Sequence, residues 1–132
     1  MNREILFRGI NFQKEWVYGD LFHSYANDDK AVVYYKEGGK TPTFDAVFPE
    51  SVGQYTGLKD KNGKKIFEWD ILFQGQELLG VVCISKRYGV SILKKTTTWS
   101  LINFVLDSDF DAGVLSDIEV RGNIYDNPEL IK

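Results

Sequence analysis

At 132 residues, with a net charge of −3 and a hydrophobic fraction of 43% that includes 14% aromatics, the chain is too apolar for a disordered segment. A domain of this length buries about two thirds of the surface its unfolded chain exposes, so one real core is expected over residues 1–132. Charged residues make up 27%, there is no apolar run of about 18 residues, and Met1 to Arg8 interleaves charge with apolar residues where a signal peptide needs an apolar core. No membrane span or export is expected, and the cytoplasm is the expected compartment.

In chain order, runs rich in β-branched and aromatic residues predict strands at Trp16 to Phe22, Ala31 to Tyr35, Phe44 to Phe48, Ile71 to Phe73, Leu79 to Ile84, Val90 to Leu93 and Glu119 to Tyr125. Between Tyr55-Thr56 and Ile66-Phe67, the pair Asn62-Gly63 supplies two residues that tolerate positive φ, which predicts a two-residue type I′ hairpin. The dense charge of Lys59 to Lys65 predicts that this hairpin is a local, solvated unit. Gly75-Gln76 and Arg87-Tyr88-Gly89 predict the turns of a meander from Ile71 to Leu93. Helix is scarce: the best candidate is Ser100 to Leu106, with Ser100 as cap, and a strand fits nearly as well. Short strands separated by turns give a mainly β fold class, a single domain of SH3-like small-barrel or related open-barrel type with little helix.

Three segments carry a family resemblance. They are Arg3-Glu4-Ile5-Leu6-Phe7-Arg8 leading to Trp16-Val17-Tyr18-Gly19-Asp20-Leu21, the central stretch Val52 to Asp70, and the closing Gly122-Asn123-Ile124-Tyr125-Asp126-Asn127-Pro128-Glu129-Leu130. In order and spacing they resemble the YopX family, small proteins encoded by phages and prophages. The resemblance implies a mostly β protein of phage origin, in a bacterial host cell, with no established biochemical activity and no catalytic residues to transfer. Trp69 departs from the family pattern, which usually has glycine there in Glu-Gly-Asp, a residue with dihedral freedom that Trp lacks.

The inventory for chemistry is thin. His23 is the only histidine, and its neighbours Asp20 and Ser24 do not make a triad, whose members are assembled by the fold. It reads as a turn or surface residue. Cys83, alone among Val81, Val82 and Ile84, reads as a structural thiol, and one His with one Cys cannot build the usual zinc site. Gly-x-Gly-x-x-Gly, Walker and Gly-x-Ser-x-Gly signatures are absent, so no cofactor and no enzymatic activity are expected. Asp107-Ser108-Asp109-Phe110-Asp111 begins like an EF-hand loop. Ala112 stands at the sixth position and Ile118 at the twelfth, so the segment to Gly113 reads as a solvated acidic loop, not a Ca²⁺ site.

What remains is surface. Residues 53–95 carry a balance of +4 and residues 96–132 a balance of −5, an asymmetry that suits self-association or a polyanion. An overall pI of about 5.2 argues against nucleic acid as the main partner. The aromatics exceed what a small barrel needs inside, and exposed aromatics anchor protein interfaces. The expected interaction residues are Trp69, Tyr55, Lys59, Lys61, Lys64 and Lys65. The expected partners are a second copy of the chain and another protein. The alternative is an accessory nucleic-acid-binding module, in which Lys59 to Lys65 align with Lys86, Arg87, Lys94 and Lys95 beside Tyr55 and Tyr88.

Overall fold

A computed structural model describes residues 4–23, 31–35, 43–85, 89–94, 97–100 and 114–131. The chain is mainly β, with eleven strands and two short 3-10 turns among those residues. It divides into two compact units, Met1–Tyr55 and Thr56–Lys132.

The first unit contains β1 (Phe7–Ile10), β2 (Trp16–His23), β3 (Ala31–Tyr35) and β4 (Thr43–Val47), antiparallel in the order β4-β3-β2-β1. β5 (Gly53–Lys59) begins here, pairing Gln54 with Phe7 and Gly53 with Arg8. Strand alternation puts Val17, Val33 and Val47 on one face, where they form a small core with Leu21 and Val52 against them. The β1–β2 turn is organised by Asn11, whose Oδ1 accepts the amides of Gln13 and Glu15 at 3.0 and 2.9 Å. A 3-10 turn at Pro49–Ser51 is tied down by Ser51, whose hydroxyl accepts the Ile10 amide and donates to the Phe48 carbonyl.

In the second unit the remainder of β5 and β6 (Lys65–Phe67) form the predicted hairpin. β7 (Asp70–Gln74), β8 (Glu77–Ser85), β9 (Gly89–Lys94), β10 (Thr97–Ser100) and β11 (Ile118–Asn123) form an antiparallel sheet in the order β10-β9-β8-β7-β11. β7 to β10 form a four-strand meander, and β11 pairs with its first strand, β7, an arrangement compatible with an open barrel. Leu58, Ile66, Leu72, Leu79, Val82, Ile92, Leu115, Ile118 and Val120 fill its core. Full burial of each such side chain stabilises by about 1.5–3 kcal/mol. Gly80 is required by position: at φ +143°, a Cβ would lie 2.6 Å from both Ile92 Cγ2 and the Leu93 carbonyl oxygen, beside a register shift between Leu72 and Phe73.

The seven predicted strands all occur, with ends shifted by up to two residues. β5 and β6 are the two arms of the predicted hairpin, while β1 and β10 lie outside the predicted strands. β1 is short, and β10 includes Ser100, which the sequence suggests as a helix cap. The rest of that helix candidate, residues 101–106, lies outside the described residues.

Candidate interaction site

The basic hairpin is built around a buried acid. Asp60 is 1% exposed, and its carboxylate accepts three backbone amides: Asn62 and Lys64 on Oδ1, both at 2.9 Å, and Val120 on Oδ2 at 3.0 Å. The Gly63 amide donates to the Asp60 carbonyl and the Asp60 amide to the Lys64 carbonyl. Gly63 has φ +80°, whereas neither Lys61 nor Asn62 has positive φ. The loop is therefore a type I turn over Asp60 to Gly63 with Gly63 left-handed, a three-residue loop in place of the expected type I′ turn. The carboxylate decides this, because it draws the amides of Asn62 and Lys64 inward.

The expectation of a local, solvated unit holds for the lysine side chains and is corrected for the backbone, which is tied to distant segments. Lys59, Lys61 and Lys64 are exposed and Lys65 is half-buried, so the side chains meet solvent. The backbone does not stand alone: the Lys61 amide donates to the Ile118 carbonyl, and the Lys59 carbonyl accepts the Leu115 amide. Lys61 Nζ lies 3.6 Å from Glu119, whose other oxygen is 3.7 Å from Arg121 Nε. Lys86, Arg87, Tyr88 and Lys95, on which the nucleic-acid alternative depends, lie outside the described residues. So does the acidic segment Asp107 to Gly113. Among the described residues no cluster of three His, Cys, Asp or Glu could hold a metal.

Two predicted aromatics part company. Tyr55 is 6% exposed and no surface platform, because alternation over the first half of β5 turns Gly53 and Tyr55 inward before the pattern shifts at the exposed Gly57. Trp69, in the second unit, is half-buried in the β6–β7 turn at φ +79°. Its amide donates to the Val82 carbonyl and its carbonyl accepts the Ile124 amide, while buried Asp70 accepts the Phe67 amide at 2.8 Å. Across this region Cys83 is partly buried, and burial together with the nearby Glu68 charge raises its thiol pKa, which keeps it protonated and unreactive at neutral pH.

A further aromatic surface was not singled out from the sequence. In β2 the even positions alternate with the core positions, so Trp16, Tyr18, Asp20 and Phe22 point away from Val17 and Leu21. The β2–β3–β4 register places Phe44 on that same outer face, with its ring edge-on to Phe22 at 6.0 Å between centroids. Tyr18 is 46%, Phe22 49% and Phe44 61% exposed. Beside them Arg8 is buried with its guanidinium 4.4 Å from the Trp16 ring centroid. The legible signal was the two-residue period of aromatic against aliphatic from Trp16 to Phe22.

A protein-family model described as YopX protein matches residues 6–132. The chain belongs to the YopX family. A search of curated proteins found no match. The YopX-family chain is also similar to the crystal structure of protein EF1440 from Enterococcus faecalis, at 20% identity and a TM-score of 0.51, covering 99% of this chain and 100% of that one. At that identity the likeness speaks to fold alone. At Trp69 the YopX-family chain adopts a backbone that glycine takes without strain. The turn is imposed by the hydrogen bonds around it, and Trp bears the strain.

Proposed function

We propose that this YopX-family protein is a non-enzymatic binding protein of phage or prophage origin that works in the bacterial cytoplasm, associating with itself and with another protein. The observation that supports this reading is the outer face of the first unit's sheet, where Tyr18 and Phe22 of β2 and Phe44 of β4, with β3 between the two strands, stand 46%, 49% and 61% exposed. Large aromatics of this kind carry a disproportionate share of binding energy when a partner covers them, and three together exceed the scattered apolar residues of an ordinary surface. The exposed lysines at the tip of the β5–β6 hairpin add a charge suited to steering an acidic partner. Among the described residues no helix is long and apolar enough to cross a membrane.

The test is the molar mass by size-exclusion chromatography with light scattering, for the parent chain and for the double variant Phe22→Ser, Phe44→Ser. The parent is expected to elute as an oligomer and the variant as a monomer with an unchanged far-UV spectrum. A parent that is monomeric at all accessible concentrations, or a variant that assembles as the parent does, defeats the self-association reading.

A further inference from the structure

We infer that Asn62 is a deamidation and backbone-isomerisation site that the Asp60 carboxylate holds closed in the folded protein. Asn-Gly is the sequence most open to this chemistry, because glycine leaves the following amide nitrogen unshielded, and Asn62 and Gly63 are both exposed. The Gly63 amide nitrogen, after losing its proton to base, attacks Cγ of Asn62. The N–Cγ bond forms, the Cγ–Nδ2 bond breaks, and ammonia leaves after taking a proton from the protonated base. Water then opens the five-membered imide. Attack at Cγ restores the main chain with aspartate at position 62; attack at the main-chain carbonyl routes the chain through Cγ as isoaspartate. The balance is one water in and one ammonia out.

The folded turn opposes the first step in two ways. The nucleophile's proton is engaged, since the Gly63 amide donates to the Asp60 carbonyl at 3.0 Å. The geometry is also wrong: Asn62 is the third residue of a type I turn, with ψ near 0°, and ring closure needs the Gly63 nitrogen swung round to the side of Cβ. That rotation carries the Lys64 amide away from Asp60 Oδ1, a bond of 2.9 Å, along with the Gly63 amide. The rate of modification at Asn62 therefore reports how often the hairpin opens. The product matters for the surface, because it sets a new carboxylate among Lys59, Lys61, Lys64 and Lys65, and the isoaspartate form lengthens the loop that Asp60 organises.

The experiment incubates the full chain at mildly alkaline pH and follows position 62 by peptide mapping with isoaspartate detection, in buffer and in unfolding urea, beside Asp60→Asn and Asp60→Ala. Conversion in urea is expected to exceed that in buffer by at least about tenfold, the factor that loss of one charge-assisted hydrogen bond gives. Each Asp60 variant that keeps its far-UV spectrum is expected to fall between the two. Asn62→Gln is expected to show no conversion in either condition, since its imide would be six-membered. Equal rates in buffer and in urea overturn the proposal whether or not the variants fold, and a folded Asp60 variant that converts at the parent rate overturns the role of the carboxylate.

Discussion

Trp69 shows at single-residue scale how surrounding hydrogen bonds hold a residue in a backbone that suits glycine better. A side chain in the left-handed region costs about 1–2 kcal/mol, and here that cost is borne by a half-buried indole at φ +79°. Two substitutions separate strain from packing. Trp69→Ala removes the indole contacts and keeps the strain; Trp69→Gly removes the same contacts and relieves it. In urea unfolding, Trp69→Gly is expected to be more stable than Trp69→Ala by about 1 kcal/mol, despite the larger entropy of its unfolded chain. Equal stabilities would mean that the turn relaxes in the variants and that the dihedral is a product of the indole's packing. That Trp stands where the resemblance implies glycine was legible in the sequence; that its backbone is left-handed was not, because the turn is closed by Val82 and Ile124, which are distant in the chain.

At the scale of the element, the β5–β6 hairpin separates what local sequence determines from what tertiary contacts add. Asn62-Gly63 correctly locates the turn, since only a residue free to adopt positive φ closes it easily, and Gly63 does so. The type of turn came out differently because Asp60, one residue before the lysine-rich tip, turns inward and joins the hairpin to Val120 of β11, sixty residues on. No period or propensity announces that an aspartate between two lysines will be buried. Its consequence is measurable. Asp60→Ala strands three amides and is expected to destabilise by about 3 kcal/mol, and Asp60→Asn, which retains one acceptor oxygen, by about 2 kcal/mol. Hydrogen exchange provides a second check: the amides of residues 60–64 all have acceptors, so slow exchange is expected through the whole tip, with the Lys61 amide protected by Ile118. Fast exchange at all five, or an Asp60→Ala variant as stable as the parent, would return the hairpin to the solvated unit that its composition suggests.

At the scale of the whole molecule, composition and periodicity made the mainly β class legible, because strand runs with turn residues between them leave little room for helix. The division into units at Tyr55 and Thr56 was not legible, since it falls inside β5, where no linker composition marks it. The aromatic excess was legible as a count, but its placement depended on pairing: only the register of β2, β3 and β4 sets Phe44 beside Phe22. That placement leads to an expectation about salt. A contact made by apolar rings strengthens or holds as ionic strength rises, whereas contacts of lysines with phosphates weaken steeply through counterion release. The oligomer proposed for the parent is therefore expected to keep its mass from low to high salt, and a mixture of single- and double-stranded nucleic acid is expected to elute apart from it at both. Co-elution at low salt that is lost at high salt would transfer the main role from the aromatic face of the first unit to the lysines of the second. Dissociation by salt without any nucleic acid would show that the opposed charges of residues 53–95 and 96–132, rather than the rings, hold the copies together.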